Sequence, residues 1–267
     1  MNTPSSDTFT PGRDQSPKTS VHDSHEALLI QKWQEVKARI ERAKSLCARE
    51  GQNVQLLAVS KTFPLEDILI LKGQGQMSFG ENYIQEAVGK IDLAQKTRVM
   101  NDAQWHCIGP LQSNKTKWVA ECFDWVHTLE RAKHAQRLNE QRPEHLNPLN
   151  VLIQVKVDAG PNKSGVLIDD VLPLAREILS CPRLRLRGLM TLPDFTPEYD
   201  QQLKIHQKGR SVFEMLRQAL GHEHIDTLSM GMTQDLEAAV AAGSTMLRIG
   251  TAIFGGRTQK APVSAVG

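Results

Sequence analysis

The chain has 267 residues and a formal charge of +2, which allows one large α/β domain or two small ones. The charges are interspersed, with no basic block and interleaved aromatics, so nucleic acid is not expected as a partner. Cys47, Cys107, Cys122 and Cys181 form no Cys-x-x-Cys pair, and no apolar run reaches transmembrane or signal-peptide form, so a soluble cytoplasmic protein with reduced thiols and no metal site is expected.

Residues 1–22 are rich in Ser, Thr, Pro and Asp and are expected to be a disordered tail. Asp23 and Glu26 have capping-box spacing. Ile30, Trp33, Val36, Ile40, Ala43 and Cys47 then recur at helical spacing, and Gly51 is the expected stop. This leading helix is read as a cover for one end of the fold. Strands are expected at 54–60, 77–80, 104–109, 125–129, 150–158, 185–190, 225–230 and 246–254. The stretches 65–72, 84–95, 115–122, 131–140, 168–179, 198–220 and 234–242 between them read as helices. Such alternation implies parallel strands joined by right-handed crossovers. Eight of them point to a single α/β domain, a (β/α)8 TIM barrel over residues 23–257, with 258–267 as a flexible tail. An open doubly wound sheet has the same alternation and remains the other architecture.

In a barrel, chemistry collects just past the carboxyl ends of the strands. The run Leu56-Leu57-Ala58-Val59-Ser60-Lys61-Thr62 is apolar on both faces, as a buried parallel strand requires, and alternation puts Lys61 with Leu57 and Val59. An ammonium beside apolar neighbours loses solvation, its pKa falls, and the free amine can attack a carbonyl. The plain alternative is a lysine that snorkels to water. Across the barrel, Gly231 and Thr233 precede a helix expected at Gln234, while Gly250 and Thr251 follow the last strand. Backbone N–H groups, hydroxyls and a helix terminus there suit a phosphate. The same residues also serve as a helix cap and a tight corner. A lysine facing a phosphate site suggests pyridoxal 5′-phosphate, PLP, whose aldehyde condenses with an amine. Arg248 shares strand parity with Gly250 and would point inward. Opposite a ring nitrogen it would leave that nitrogen unprotonated and weaken the electron sink; the alternative is a pair with a barrel carboxylate such as Glu81.

The segments LLAVSKT, FGENYIQEA, WHCIGPLQSNK, NVLIQVKVD, NKSG, LRLRGLM, IDTLSMGM and STMLRIGTAIFG, which together span residues 54–255, resemble the YggS/PROSC family of pyridoxal phosphate homeostasis proteins. The resemblance implies a monomeric barrel like the amino-terminal domain of alanine racemase, with PLP as cofactor. It implies a Schiff base on Lys61, Asn82 near the ring, Arg248 near its nitrogen, and phosphate contacts from Ser229, Gly231, Thr233, Gly250 and Thr251. Gly231-Met232-Thr233-Gln234-Asp235 departs from the family's Gly-Met-Ser-x-Asp, but threonine keeps the hydroxyl. The implied function is binding, buffering and delivery of PLP within the cell without turnover, with apo PLP-dependent enzymes as candidate recipients.

The competing functions are an amino-acid racemase on the same cofactor and a cofactor-free Schiff-base aldolase. A two-base racemase needs an acid on the face opposite the lysine, commonly a Tyr from a second domain. The chain is expected to have no second domain, and its tyrosines are Tyr83 and Tyr199, neither expected at the cofactor. His222-Glu223-His224 reads as a solvated turn and Lys115 as a surface lysine. Lys163 is a candidate second anion or PLP site.

Overall fold

The computed structural model describes residues 21–100, 102–158, 164–221 and 223–256. Residues 1–20 and 257–267, together with Lys163 and His222, lie outside that description. Eight parallel strands close on themselves in the order β1 to β8, with β1 hydrogen-bonded to both β2 and β8. The barrel, and not the open sheet, is therefore the architecture. Its strands are β1 Gln55–Val59, β2 Ser78–Glu81, β3 Gln104–Cys107, β4 Trp125–Leu129, β5 Leu149–Val155, β6 Leu184–Thr191, β7 Thr227–Ser229 and β8 Met246–Ile249. The helices are α1 Val21–Leu46, α2 Leu65–Gly73, α3 Ile84–Gln95, α4 Thr116–Cys122, α5 Ala132–Gln141, α6 Val171–Leu179, α7 Tyr199–Leu220, α8 Leu236–Ala241 and α9 Thr251–Phe254.

Two layers of packing follow from strand alternation. Outward-facing residues such as Ala58, Phe79, Cys107, Val126, Val151, Ile153, Leu189, Leu228 and Leu247 join the helices in one continuous buried cluster. Inside the barrel, Trp125, Leu152 and Met190 form a separate small cluster. The rest of the interior is largely polar. Burial pushes the Cys107 thiol up to about 12, and Cys181 is likewise raised by burial, so both are packing residues.

Four expectations are corrected. Asp23 does not open the leading helix, because α1 is already helical at Val21. The helix stops at Leu46 with Ala48 in the left-handed region (φ 53°), so Gly51 is not its terminator. Nor does α1 cover an end of the barrel: it packs along its side against α2, α8 and α9, burying Leu29, Trp33, Val36, Ile40 and Ala43. The last strand ends at Ile249 and not at Phe254, and residues 251–254 turn into α9. An apolar run of this length fits a strand or a buried helical turn equally well, and here Ile253 packs inward while Phe254 stacks on Phe63 at 4.9 Å.

One buried ion pair sits where β1, β2 and α3 meet. Lys90 donates to Glu81 Oε1 at 2.9 Å and to the Ser60 carbonyl at 2.9 Å, while Ser60 Oγ donates to Glu81 at 2.7 Å. Burial raises the Glu81 carboxyl, and Lys90 and Ser60 pull it back only in part. Lys90→Met should cost about 3–5 kcal/mol at neutral pH, because it strands a buried carboxylate. The deficit should shrink on acidification: a carboxyl raised in the folded state above its ordinary 4.5 contributes stability below that value and loses it as pH rises. Urea denaturation at several pH values measures both, and a pH-independent loss would contradict the assignment.

Candidate functional site

At the carboxyl ends of the strands lies a cavity of about 500 Å³. Lys61, Asn82, Thr233, Arg248, Gly250 and Thr251 all line it, together with Val59, Met190, His206 and Asp235. A second cavity of about 450 Å³ shares the wall formed by Asn82, Ile108, Met190 and Leu192. Ser229 and Gly231, the other two residues expected in the site, are buried and outside the cavity lining.

Lys61 is held by the residues on either side of it. Ser60 is fixed by Glu81 and Lys90, and the Thr62 N–H donates to Glu86 at 2.7 Å. Lys90 reaches Glu86 as well, at 2.6 Å. Thr62 adopts φ 67°, a left-handed conformation that costs a β-branched residue about 1–3 kcal/mol. That turn sends the chain from β1 toward α2 while Lys61 stays on the cavity side.

Arg248 forms part of the floor. It is 5% exposed, and burial pushes its guanidinium down to about 10, so it remains charged at neutral pH. Glu81 is not its partner. Nη1 donates to the Ser229 carbonyl and to Ser229 Oγ, both at 2.8 Å, and Nη2 donates to the Thr191 carbonyl at 2.8 Å. A guanidinium has five N–H groups. Nε and the second Nη2 hydrogen therefore have no hydrogen-bond partner among the described residues, and the side chain lines the cavity.

The opposite wall is the loop from Gly231 to Asp235. Gly231 has φ 92°, and a Cβ there would run into Ala239 and Leu247, so glycine is required by backbone and packing alone. A Cβ at Gly250 would stand 3.1 Å from the Val59 carbonyl, which keeps that corner bare. Asp235 Oδ1 accepts the Met232 N–H at 2.6 Å, and Oδ2 accepts His206 Nε2 at 2.9 Å. Burial raises the Asp235 carboxyl, but the hydrogen bonds from His206 and Met232 outweigh it and leave it below its ordinary range. From α1, Arg39 donates to the Thr233 carbonyl at 2.8 Å and grips Glu237 with two bonds of 2.5 and 2.6 Å. The helix expected to begin at Gln234 begins at Leu236 and runs only six residues. The anion-binding capacity of this wall thus lies in hydroxyls and backbone amides, with little from a helix dipole.

His206, His127, Arg39 and Lys90 were not singled out from the sequence. The partners of the first three lie 29, 102 and 194 positions away, so no local spacing could reveal them. Lys90 does stand at i,i+4 from Glu86, but its bond to the Ser60 carbonyl is 30 positions away. Lys115, by contrast, stacks its ammonium over Trp118 at 4.2 Å, an ordinary surface arrangement.

Residues 32–258 match the profile of the alanine racemase N-terminal domain. The pyridoxal phosphate homeostasis protein of Pasteurella multocida is 51% identical over 224 residues, 84% of this chain and 95% of that protein. The Escherichia coli homeostasis protein is 49% identical over 223 residues, covering 84% and 94%. The chain belongs to the pyridoxal phosphate homeostasis family. Among solved structures, PipY of Synechococcus elongatus with PLP bound superposes with TM-score 0.70 at 32% identity, covering 81% of this chain and 99% of PipY. Clostridium difficile alanine racemase shares the fold alone, with TM-score 0.66 at 13% identity, and this chain covers 58% of it.

Beside this cavity, Arg39 ties the leading helix to the loop that carries Thr233. Arg39→Ala should cost under about 1 kcal/mol, since the Arg39–Glu237 pair is part-exposed. Amide exchange at residues 232–237 should nevertheless quicken measurably. Unchanged exchange there would show that the loop is held without α1.

Proposed function

We propose that this protein binds pyridoxal 5′-phosphate in the cavity at the barrel mouth and acts as its carrier, handing it to apo-enzymes without turnover of its own. The observation that carries the reading is the combination of Lys61 at the rim and a charged Arg248 with unspent N–H groups at the floor of one cavity. The residues present fit the cofactor. Lys61 offers an amine for the aldehyde, and Arg248 offers N–H donors to a ring nitrogen. Thr233 and Thr251 offer hydroxyls to the phosphate, with Gly250 leaving room for close approach. Asn82 adds a buried Oδ1 that has no partner among the described residues. When bound, PLP supplies an electrophilic aldehyde and an aromatic ring able to accept electrons. A guanidinium beside the ring nitrogen donates a hydrogen bond without giving up a proton, which keeps that nitrogen neutral and the ring a weak acceptor. Retention of an aldehyde needs no more than this.

The pyridoxal phosphate homeostasis relatives and the PLP-bound PipY support the binding reading. Absence of turnover is our inference from the cavity walls. Neither Tyr83 nor Tyr199 lines the cavity, and both are about half exposed. His206, Asp235 and Asp194 are the other titratable acid–base groups lining the cavity with Lys61, and the first two are bonded to each other through His206 Nε2 and Asp235 Oδ2. Candidate recipients are apo PLP-dependent enzymes, and among the described residues no helix is long and apolar enough to cross a membrane.

Borohydride reduction of PLP-loaded protein followed by peptide mass spectrometry should place the pyridoxyl adduct on Lys61. Lys61→Ala should lose both the adduct and the visible absorbance while staying folded. An adduct retained elsewhere would move the attachment point.

Racemisation of alanine and other common amino acids should be absent or at least about 10²-fold below a dedicated racemase. One of the two acid–base partners is missing, and each is typically worth about 10²–10⁴-fold. Chiral analysis alongside deuterium exchange at Cα measures this. Racemase-like rates that His206→Ala abolishes would make the protein an enzyme.

A further inference from the structure

Beneath the cavity floor the barrel interior holds polar groups that the binding reading leaves unused. Arg248 donates through Nη1 to Ser229 Oγ at 2.8 Å. Ser229 Oγ lies 3.1 Å from His127 Nδ1, and His127 Nε2 lies 2.9 Å from His106 Nδ1. His106 in turn stacks on Trp125 with ring centroids 5.2 Å apart. Ser229, His127 and His106 are each 0% exposed. We propose that Ser229, His127 and His106 are positioning residues for Arg248, serving the ring-nitrogen end of the cofactor site, and that Ser229 makes no phosphate contact.

Hydrogen-bond capacity decides the direction of the chain. A hydroxyl has one proton and two lone pairs. Ser229 Oγ accepts from Arg248, which has no lone pair to offer in return. If the Ser229 hydroxyl donates to His127 Nδ1, then His127 Nε2–H donates to His106 Nδ1, and the His106 Nε2–H alone lacks a partner among the described residues. The reverse arrangement would strand both the serine proton and a His106 lone pair. Buried groups avoid such losses, so the chain runs one way, from Arg248 to Ser229 to His127 to His106. The serine's single proton is then spent and none is left for a phosphate oxygen.

Charge supports the same arrangement. Burial pulls His106 down to about 3, and His127 falls well below its ordinary value through burial, then through His106 and Arg248. Both imidazoles are neutral acceptors and place no second positive charge beside the guanidinium. With Nη1 held by Ser229 and Nη2 by Thr191, the guanidinium of Arg248 is anchored at two points in the cavity that it lines. Thr233 and Thr251, which do line the cavity, are left as the phosphate hydroxyls.

The inference rests on PLP binding, and the test separates the two. Affinities of full-length protein for pyridoxal 5′-phosphate and for pyridoxal, which lacks the phosphate, are measured by equilibrium titration. Ser229→Ala and His127→Leu should each weaken both ligands by a similar factor, about tenfold. The ratio of the two affinities should stay at the wild-type value, and the visible band should shift as the ring nitrogen loses its fixed donor. Thr233→Ala should lower that ratio, because it removes a phosphate contact only. His127→Asn places an amide near the Nδ1 position and should recover most of the loss and the wild-type band. Ser229→Ala deletes a single oxygen, so it carries the test if His127→Leu does not fold. A fall in PLP affinity alone in Ser229→Ala would overturn the proposal, as would unchanged binding in that variant or no recovery in His127→Asn. Wild-type protein that binds neither ligand would instead remove the binding reading, and this inference with it.

Discussion

Arg248 sets the terms for the barrel. A buried guanidinium with no direct bond to a carboxylate must be repaid by hydrogen bonds, since Asp235 across the cavity acts on it only through its field and falls short of offsetting burial. The barrel meets this with two strand-end carbonyls, from Ser229 and Thr191, and with the Ser229 hydroxyl. The strand register that brings β6 and β7 beside Arg248 is therefore coupled to the position of one side chain. The two buried histidines beneath it are uncharged, and the nearby Asp235 carboxylate favours its charged form. Inside the barrel Trp125, Leu152 and Met190 form a small apolar cluster, and the continuous hydrophobic core lies outside the barrel wall, between strands and helices.

A second constraint fixes the other side of the cavity. Around Lys61 the structure holds the flanking backbone. Lys90 gathers Ser60, Glu81 and Glu86, and Glu86 holds Thr62 in a strained turn. Residues from two strands and one helix thus fix the backbone on either side of Lys61. The cavity's third side uses the same principle, with Asp235 tying the Thr233 loop to α7 and Arg39 tying it to α1.

The cavity therefore has two kinds of wall: a buried charged floor at Arg248, and a short loop at Thr233 pinned by side chains, with a second cavity adjoining at Asn82, Ile108, Met190 and Leu192. An enzyme that moves protons on both faces of a substrate needs a second acid–base group free to exchange its proton. Here the histidine on the cavity wall is bonded to Asp235.

Much was legible in the sequence because the relevant signals were local. Strand–helix alternation gave the element order, and parity along β1 and β8 put Lys61 and Arg248 on the inner side. The motifs after β7 and β8 located the Thr233 and Thr251 hydroxyls. Local patterns failed where a short apolar run fits two conformations, as at Ile253 and Phe254, and where a helix start depends on packing, as at Leu236 and Val21. They also could not pair residues far apart in the chain. Glycine at 231 looked like a phosphate residue, yet its positive φ and the contact with Ala239 require it regardless. Ser229 looked like a phosphate ligand, yet its hydroxyl faces Arg248 and His127. Sequence alone determined which residue types stand at the strand ends, because period-two alternation and turn chemistry act over a few residues. Only closure of the barrel decided which of them meet, because hydrogen bonds between strands distant in sequence exist once β8 pairs with β1.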